Sequence, residues 1–279
     1  MTGTSRKTNN PSITLLKTSR KRVLSSLARG VADLYCPNLP ILPEHIAIMG
    51  GITFNYSNYE DYFDGMLEHL SREFHIYMNL DKAPQNSPRS RFTFAHELGH
   101  YFIDEHRIAL EAGLTPSHPS YTNFQSENIV EKEADYFASC LLMPEERFKA
   151  DCFRKAFGPD LINFMTGKYE VSATAFLLRY VHSEQVPIMV ICSKDGKITW
   201  RWESDDFEFK YLKSIKGSIP GVSVTAEYYK SGIEYTAPQN DLYAEDWFNY
   251  TDHEPNTFRL KEFCIYAKKQ NMVLTIIWY

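Results

Sequence analysis

Apolar positions recur along this chain with two periods, and their order predicts its elements. From about Arg20 to Tyr35, Val23, Leu24, Leu27, Val31 and Leu34 fall three and four apart, as in an amphipathic helix. Pro40 and Pro43 punctuate the chain, His45 to Met49 fit a short helix, and Gly50-Gly51 release it into the strand-like Ile52–Tyr56. Alternation then takes over. Residues 65–69 and 73–80, separated by Leu70, Ser71 and Arg72, read as a hairpin with Phe74, Ile76 and Met78 on one face and His75, Tyr77 and Asn79 on the other. The strand at 73–80 is expected at a sheet edge, where it could hold an extended peptide by strand addition.

Ser87-Pro88, an N-cap followed by proline, opens a helix expected to run to about Glu105. Gly113, Pro116, Ser117, Pro119 and Ser120 mark a long loop, and a second helix is expected from Ser126, with Glu127 in its first turn and Ile129, Phe137, Cys140 and Leu141 facing the core. Short helices follow at 145–157 and 161–165. Val171-Ser172 with Ala175, Leu178 and Arg179 has the cadence of a helix-turn-helix, but few basic residues accompany it, so a packed connector is favoured over a DNA reader. Strands at Pro187–Cys192 and Lys197–Glu203 flank the turn Lys194-Asp195-Gly196, and 271–279 is a further strand. The expected class is α+β. Its parts are a basic tail (1–21), a mainly helical domain with a small sheet (22–150), a helical connector (151–185) and an α+β domain (186–279).

Charge changes this picture little. Thirty basic against 35 acidic residues leave −5, which does not suggest a nucleic-acid binder. The exception is the start of the chain, where Arg6, Lys7, Lys17, Arg20, Lys21, Arg22 and Arg29 precede the first acid, Asp33; a solvated tail is expected there, with DNA or a partner as the alternative. No apolar run reaches signal-peptide length in residues 1–30 or membrane-spanning length anywhere, so a soluble, cytoplasmic protein is expected, with no membrane partner. Five widely spaced cysteines without a CxxC pair are expected as buried, reduced thiols. The segment from Val186 is nearly neutral and rich in aromatics, among them Trp200, Trp202, Phe207, Phe209, Tyr211, Tyr228, Tyr229, Trp247 and Phe248, expected chiefly to fill a core.

The chemistry lies in Arg91-Phe-Thr-Phe-Ala-His96-Glu97-Leu-Gly-His100. On a helix, His96 and His100 share a face and can bind one cation, while Glu97 lies about 100° round, within reach of a metal-bound water. Two histidines beside a glutamate also occur on ordinary surfaces, so a third ligand is needed. In Glu131-Lys-Glu133-Ala-Asp135, Glu131 is favoured because Asp135, one turn on, can accept a hydrogen bond from a ligand histidine; Glu133, about 200° away, is the alternative. Tyr101, His106 and Arg179 are unranked candidates for transition-state stabilisation. One zinc ion per chain is expected, though the ligands also suit other divalent metals.

Together, Arg91–His100 and Glu131-x-x-Ala-Asp135-x-Phe-Ala-x-x-Leu-Leu-Met-Pro144 resemble the ImmA/IrrE family of zinc metallo-endopeptidases, over about residues 22–150. The resemblance implies a zincin-like peptidase domain, zinc on His96, His100 and Glu131, and Glu97 as general base. Asp135 stands where members often carry asparagine; either can accept the bond. The implied substrate is a repressor with a helix-turn-helix domain, cut to release a stress, mobile-element or defence response. Larger members carry a GAF-like sensory domain where this chain has 186–279, which would bind a signal ligand. The competing reading is a metal-containing DNA-binding or regulatory protein without proteolysis, using the basic tail or the C-terminal part. Oligomeric state is not legible.

Overall fold

The computed structural model describes residues 16–38, 40–114, 120, 128–183, 185–214 and 217–279. The chain divides into two compact units, Met1–Cys36 with Leu42–Leu141, and Pro37–Ile41 with Leu142–Tyr279. Both mix helix and sheet, so the α+β class holds.

The first unit opens with α1 (Thr18–Tyr35), which takes in Arg20, Lys21 and Arg22. Leu24, Ser25, Ala28, Val31 and Ala32 face inward, whereas Val23 and Leu34, expected inside, are 56% and 72% exposed. The buried stripe is turned by one residue because small side chains let α1 lie close to its neighbours. Helix α2 (Pro43–Met49) buries Ile46 and Ala47 and leads into β1 (Thr53–Ser57). Strands β2 (Gly65–Leu70) and β3 (Glu73–Asn79) form the hairpin, turned through Ser71 and Arg72 at positive φ.

The sheet order β1-β3-β2 overturns one expectation. β3 is central, parallel to β1 and antiparallel to β2, with both edges paired, so it cannot accept a peptide; the edge strands are β1 and β2. Phe74, Ile76 and Met78 are buried as the alternation required.

Helix α3 (Pro88–Phe102) is capped by Ser87, whose side chain accepts from Ser90 N at 3.2 Å, and is buried continuously from Ser90 to His100. It ends at Phe102 rather than near Glu105. Ile103 adopts extended geometry (φ −78°, ψ 110°), and a separate helix, α4 (Asp104–Glu111), begins with its acids in the first turn, where the helix dipole favours them. Helix α5 (Ile129–Leu142) starts after Asn128, whose Oδ1 accepts from Val130 N at 3.0 Å. The start expected at Ser126 and Glu127, Pro116, Ser117 and Pro119 of the loop, and Arg6 and Lys7 of the tail lie outside the described residues. Gly99 lets α3 and α5 approach: a Cβ there would lie 3.2 Å from Ala134 Cα.

In the second unit, α6 (Glu145–Cys152), α7 (Pro159–Tyr169) and α8 (Ala173–Val181) precede β4 (Ile188–Lys194) and β5 (Lys197–Glu203). Then come α9 (Val224–Ser231), β6 (Gln239–Tyr243), α10 (Ala244–Trp247), β7 (Arg259–Ala267) and β8 (Met272–Trp278). The sheet is antiparallel in the order β5-β4-β8-β7-β6. β4 is buried on both faces. Met189 and Ile191 join a core with Phe207, Phe209, Trp247 and Phe248, while α8 packs against β4 and β5. The aromatics therefore largely fill a core, although Tyr211 is exposed. Helices α7 and α8 are joined by a short turn, with Glu170 left-handed and Ser172 capping α8. Residues 175–181 are all buried, so α8 has no free face with which to read a groove.

Among the described residues of this unit, Arg179 and Glu262 are buried ionisable side chains. Glu262, on the inward face of β7, accepts from Trp247 Nε1 (2.9 Å), Thr225 N (3.1 Å), Thr225 Oγ1 (3.0 Å) and Val224 N (3.3 Å), which caps the N-terminus of α9. Among the described residues, no helix is long and apolar enough to cross a membrane.

Candidate metal centre

Helices α3 and α5 bring His96, His100 and Glu131 together, and these three form the described group of ligand side chains able to hold a metal. His96 Nε2 and His100 Nε2 lie 3.1 Å apart, and Glu131 Oε2 and Oε1 lie 3.3 and 3.4 Å from them respectively. Zinc bonds of about 2.0–2.1 Å in a tetrahedron place ligand atoms about 3.3–3.4 Å apart. The three observed separations therefore suit one small ion, and two imidazoles with one carboxylate are the donor set a catalytic zinc site uses.

Behind the ligands, Asp135 Oδ1 accepts from His96 Nδ1 at 2.8 Å, which fixes the tautomer that leaves Nε2 free to bind. Glu133, the alternative ligand, is held elsewhere: its carboxylate accepts from His106 Nε2 (3.1 Å) and from Arg20 Nε and Nη2 (2.8 and 2.6 Å). The two glutamates point to different sides of α5, as their 200° separation requires.

Glu97 is fully buried, and among the described residues neither of its oxygens has a hydrogen-bond partner of ordinary geometry. Burial raises its pKa to about 7, only partly offset by His96 and by the Ser120 hydroxyl and Leu67 N–H nearby. An orphaned buried carboxylate is costly, and it persists here at the mouth of the ligand cluster. Burial also lowers the His100 pKa to about 3, so this ring stays neutral and able to ligate. Burial alone would lower that of His96 too, but its bonds to Asp135 and Glu131 outweigh this and raise it. For Glu131, the two histidines outweigh the burial that opposes them and hold its pKa below the usual carboxylate range.

Of the remaining candidates, His106 lies on α4, with Nδ1 3.3 Å from His100 Nδ1, behind the ligand rather than in front of it. Tyr101 turns to β3, its ring edge-on to Phe74 at 5.0 Å. Arg179 is buried in the second unit, donating from Nε to Met143 O at 3.1 Å with its guanidinium over Phe148.

Two residues not singled out by sequence also shape the site. Gly65 on β2 packs so closely that a Cβ would lie 2.6 Å from Thr93 Cγ2 and 2.9 Å from Glu97 Oε1. Ser120 bridges to the same strand: its N–H donates to Gly65 O (3.0 Å) and its C=O accepts from Asp64 N (2.9 Å). A two-residue glycine signal is absent at Gly65, and Ser120 sits in a loop with no pattern. A cavity of about 440 Å³ opens beside Glu97 and His100, with Leu67, Leu110 and Val130 in its walls.

Residues 62–179 match a family model described as the IrrE N-terminal-like domain. A curated relative, the radiation response metalloprotease IrrE of Deinococcus radiodurans, is 32% identical over 118 residues, 42% of this chain. The chain spans about a third (33%) of that relative's length. A solved Mycobacterium tuberculosis transcriptional regulator shares the fold at a TM-score of 0.61 and 14% identity, over 93% of this chain and 78% of that one.

Proposed function

We propose, from the match of residues 62–179 to the IrrE N-terminal-like domain, that this part of the chain is an ImmA/IrrE-type domain and the protein a zinc-dependent endopeptidase. The observation that carries this reading is the orphaned Glu97 carboxylate beside three ligand atoms spaced for one ion. Zinc on His96, His100 and Glu131 would supply Lewis acidity toward the scissile carbonyl and the attacking water. Glu97 takes the proton from that water and delivers it to the leaving nitrogen. Its burial beside the ligand atoms, away from competing water, suits both halves of this task.

The substrate is best accommodated as an extended strand along the edge of β2, next to Leu67 and the cavity, rather than along β3. By family likeness the target is a helix-turn-helix repressor, cleaved to derepress a stress, mobile-element or defence response. The second unit, an antiparallel sheet with helices packed on it, is read as a GAF-like sensory domain that regulates cleavage on binding a signal. The five free, buried cysteines suit a reducing cytoplasm.

Purified protein incubated with zinc and a candidate repressor tests the reading. Wild type is expected to give defined fragments and Glu97→Gln none, while Glu97→Gln still binds one zinc ion per chain. Full cleavage by Glu97→Gln rules the assignment out.

The second reading, a regulator without proteolysis, draws on the fold shared with a transcriptional regulator. It loses one support because α8 has no exposed face to present to DNA. Tight, salt-sensitive, sequence-selective gel shifts with no cleavage would favour it.

A further inference from the structure

The two ligand histidines are supported differently. His96 meets a carboxylate directly, through Nδ1 to Asp135 at 2.8 Å. His100 meets a second imidazole through its Nδ1, with His106 Nδ1 at 3.3 Å. His106 in turn reaches Glu133 through Nε2 at 3.1 Å. Arg20 closes the series from α1, gripping Glu133 with Nε and Nη2 at 2.8 and 2.6 Å. It also reaches Glu105 with Nη1 at 3.0 Å.

The direction of each bond follows from the metal end. If His100 binds through Nε2, its proton must be on Nδ1, and that N–H needs an acceptor. His106 Nδ1 then accepts, so the His106 proton sits on Nε2 and is donated to Glu133. Every link has one donor and one acceptor, and the terminal carboxylate is held by the fork of Arg20. His106 and Glu133 are buried or nearly so, on the wall of the cavity beside His100.

We propose that His106, Glu133 and Arg20 form a positioning relay that fixes the tautomer and orientation of His100 and so sets the zinc affinity of the site. The carboxylate that supports His100 acts through an intervening imidazole, and its charge is anchored by a residue from α1. The inference rests on the metal-centre reading above and adds three residues to it, none of which is a metal ligand in that reading.

Zinc dissociation constants measured by competition with a chelating dye test it, on full-length protein whose folding is checked by circular dichroism. His106→Leu and Glu133→Gln are expected to weaken zinc binding about 10- to 100-fold, the range typical of partners behind ligand histidines. His106→Gln, which keeps one acceptor and one donor, is expected to recover a large part of that loss. Glu105→Gln removes only the other contact of Arg20 and is expected to leave affinity within about twofold of wild type, well below the relay effect. The d–d spectrum of the cobalt(II)-substituted protein should shift in His106→Leu and not in Glu105→Gln. Should His106→Leu fail to fold, Glu133→Gln carries the test.

Unchanged affinity in both His106→Leu and Glu133→Gln overturns the relay, as does an equal loss in Glu105→Gln, which would mark Arg20 as a general fold contact. The two levels of the argument separate cleanly. Zinc binding that survives His100→Ala defeats the metal-centre reading itself, whereas binding that needs His100 but ignores His106 and Glu133 defeats only the relay.

Discussion

Glu97 carries an energetic signature that can be read without any substrate. Its folded-state pKa is raised by burial to about 7 from an ordinary value near 4.5. Between these values the folded protein keeps a proton that the unfolded chain releases, so this group's contribution to stability is present below about pH 4.5 and is lost as pH rises through 7. Glu97→Gln removes the penalty while keeping the shape of the side chain. Metal-free Glu97→Gln should therefore exceed metal-free wild type by up to about 3 kcal/mol at pH 8, with no such gap at pH 4. Urea unfolding at the two pH values checks this; a gap independent of pH would refute it. Gly65→Ala makes the opposite kind of change. Its Cβ has no room between Thr93 and Glu97, so we expect a loss of about 1–3 kcal/mol and a large drop in cleavage, with zinc still bound. Thermal melts and zinc titration of the variant separate those effects. His96, His100, Glu131 and Asp135 were legible because helical spacing alone places them. His106 was not: on a continuous helix, six residues beyond His100 lies on another face, and only the break at Ile103 turns it back.

At the scale of elements, the contact between α3 and α5 holds the two halves of the ligand set together. Gly99→Val would push Ala134 and Phe137 away and separate Glu131 from the histidines. The expected outcome is at least a tenfold loss of zinc affinity together with destabilisation of about 1–3 kcal/mol, read by dye competition and urea unfolding. Element type followed from pattern for the hairpin, α3, α5, β4 and β5, each of which keeps a clear period. Sheet order did not, because the period of a strand shows which face is buried and is silent on which edges are paired; hence β3 was mistaken for an edge. β7 was hidden for a different reason. Its inward positions are Leu260, Glu262 and Cys264, and a charge at the middle one breaks the apolar alternation that announces a strand.

At the scale of the whole chain, a boundary at residue 186 looks natural from composition, yet α8 packs on β4 and β5 within the second unit. A protein truncated after residue 185 would expose Phe176, Leu177 and their neighbours. We expect it to bind a hydrophobic dye strongly, whereas a fragment ending near residue 141 would not strip a sheet of its helix. Dye fluorescence of the two fragments measures the difference, and equal, weak binding would count against the packing described. The fold as a whole recurs in the Mycobacterium tuberculosis regulator at 14% identity, which shows how little of this architecture depends on particular residues. The net charge of −5 and the average composition gave no hint of it.

The order of strands in the larger sheet also bears on how the protein comes off the ribosome. β8 lies between β4 and β7, pairing Lys194 with Met272 and Ala267 with the same residue. Translation delivers the ligand-bearing helices α3 and α5 long before it delivers that strand. While the gap stands open, the unpaired backbone edges of β4 and β7 wait for a partner that has not yet been synthesised. The nascent chain can thus complete its candidate metal site early, yet must be shielded from pairing with other chains until β8 has been made.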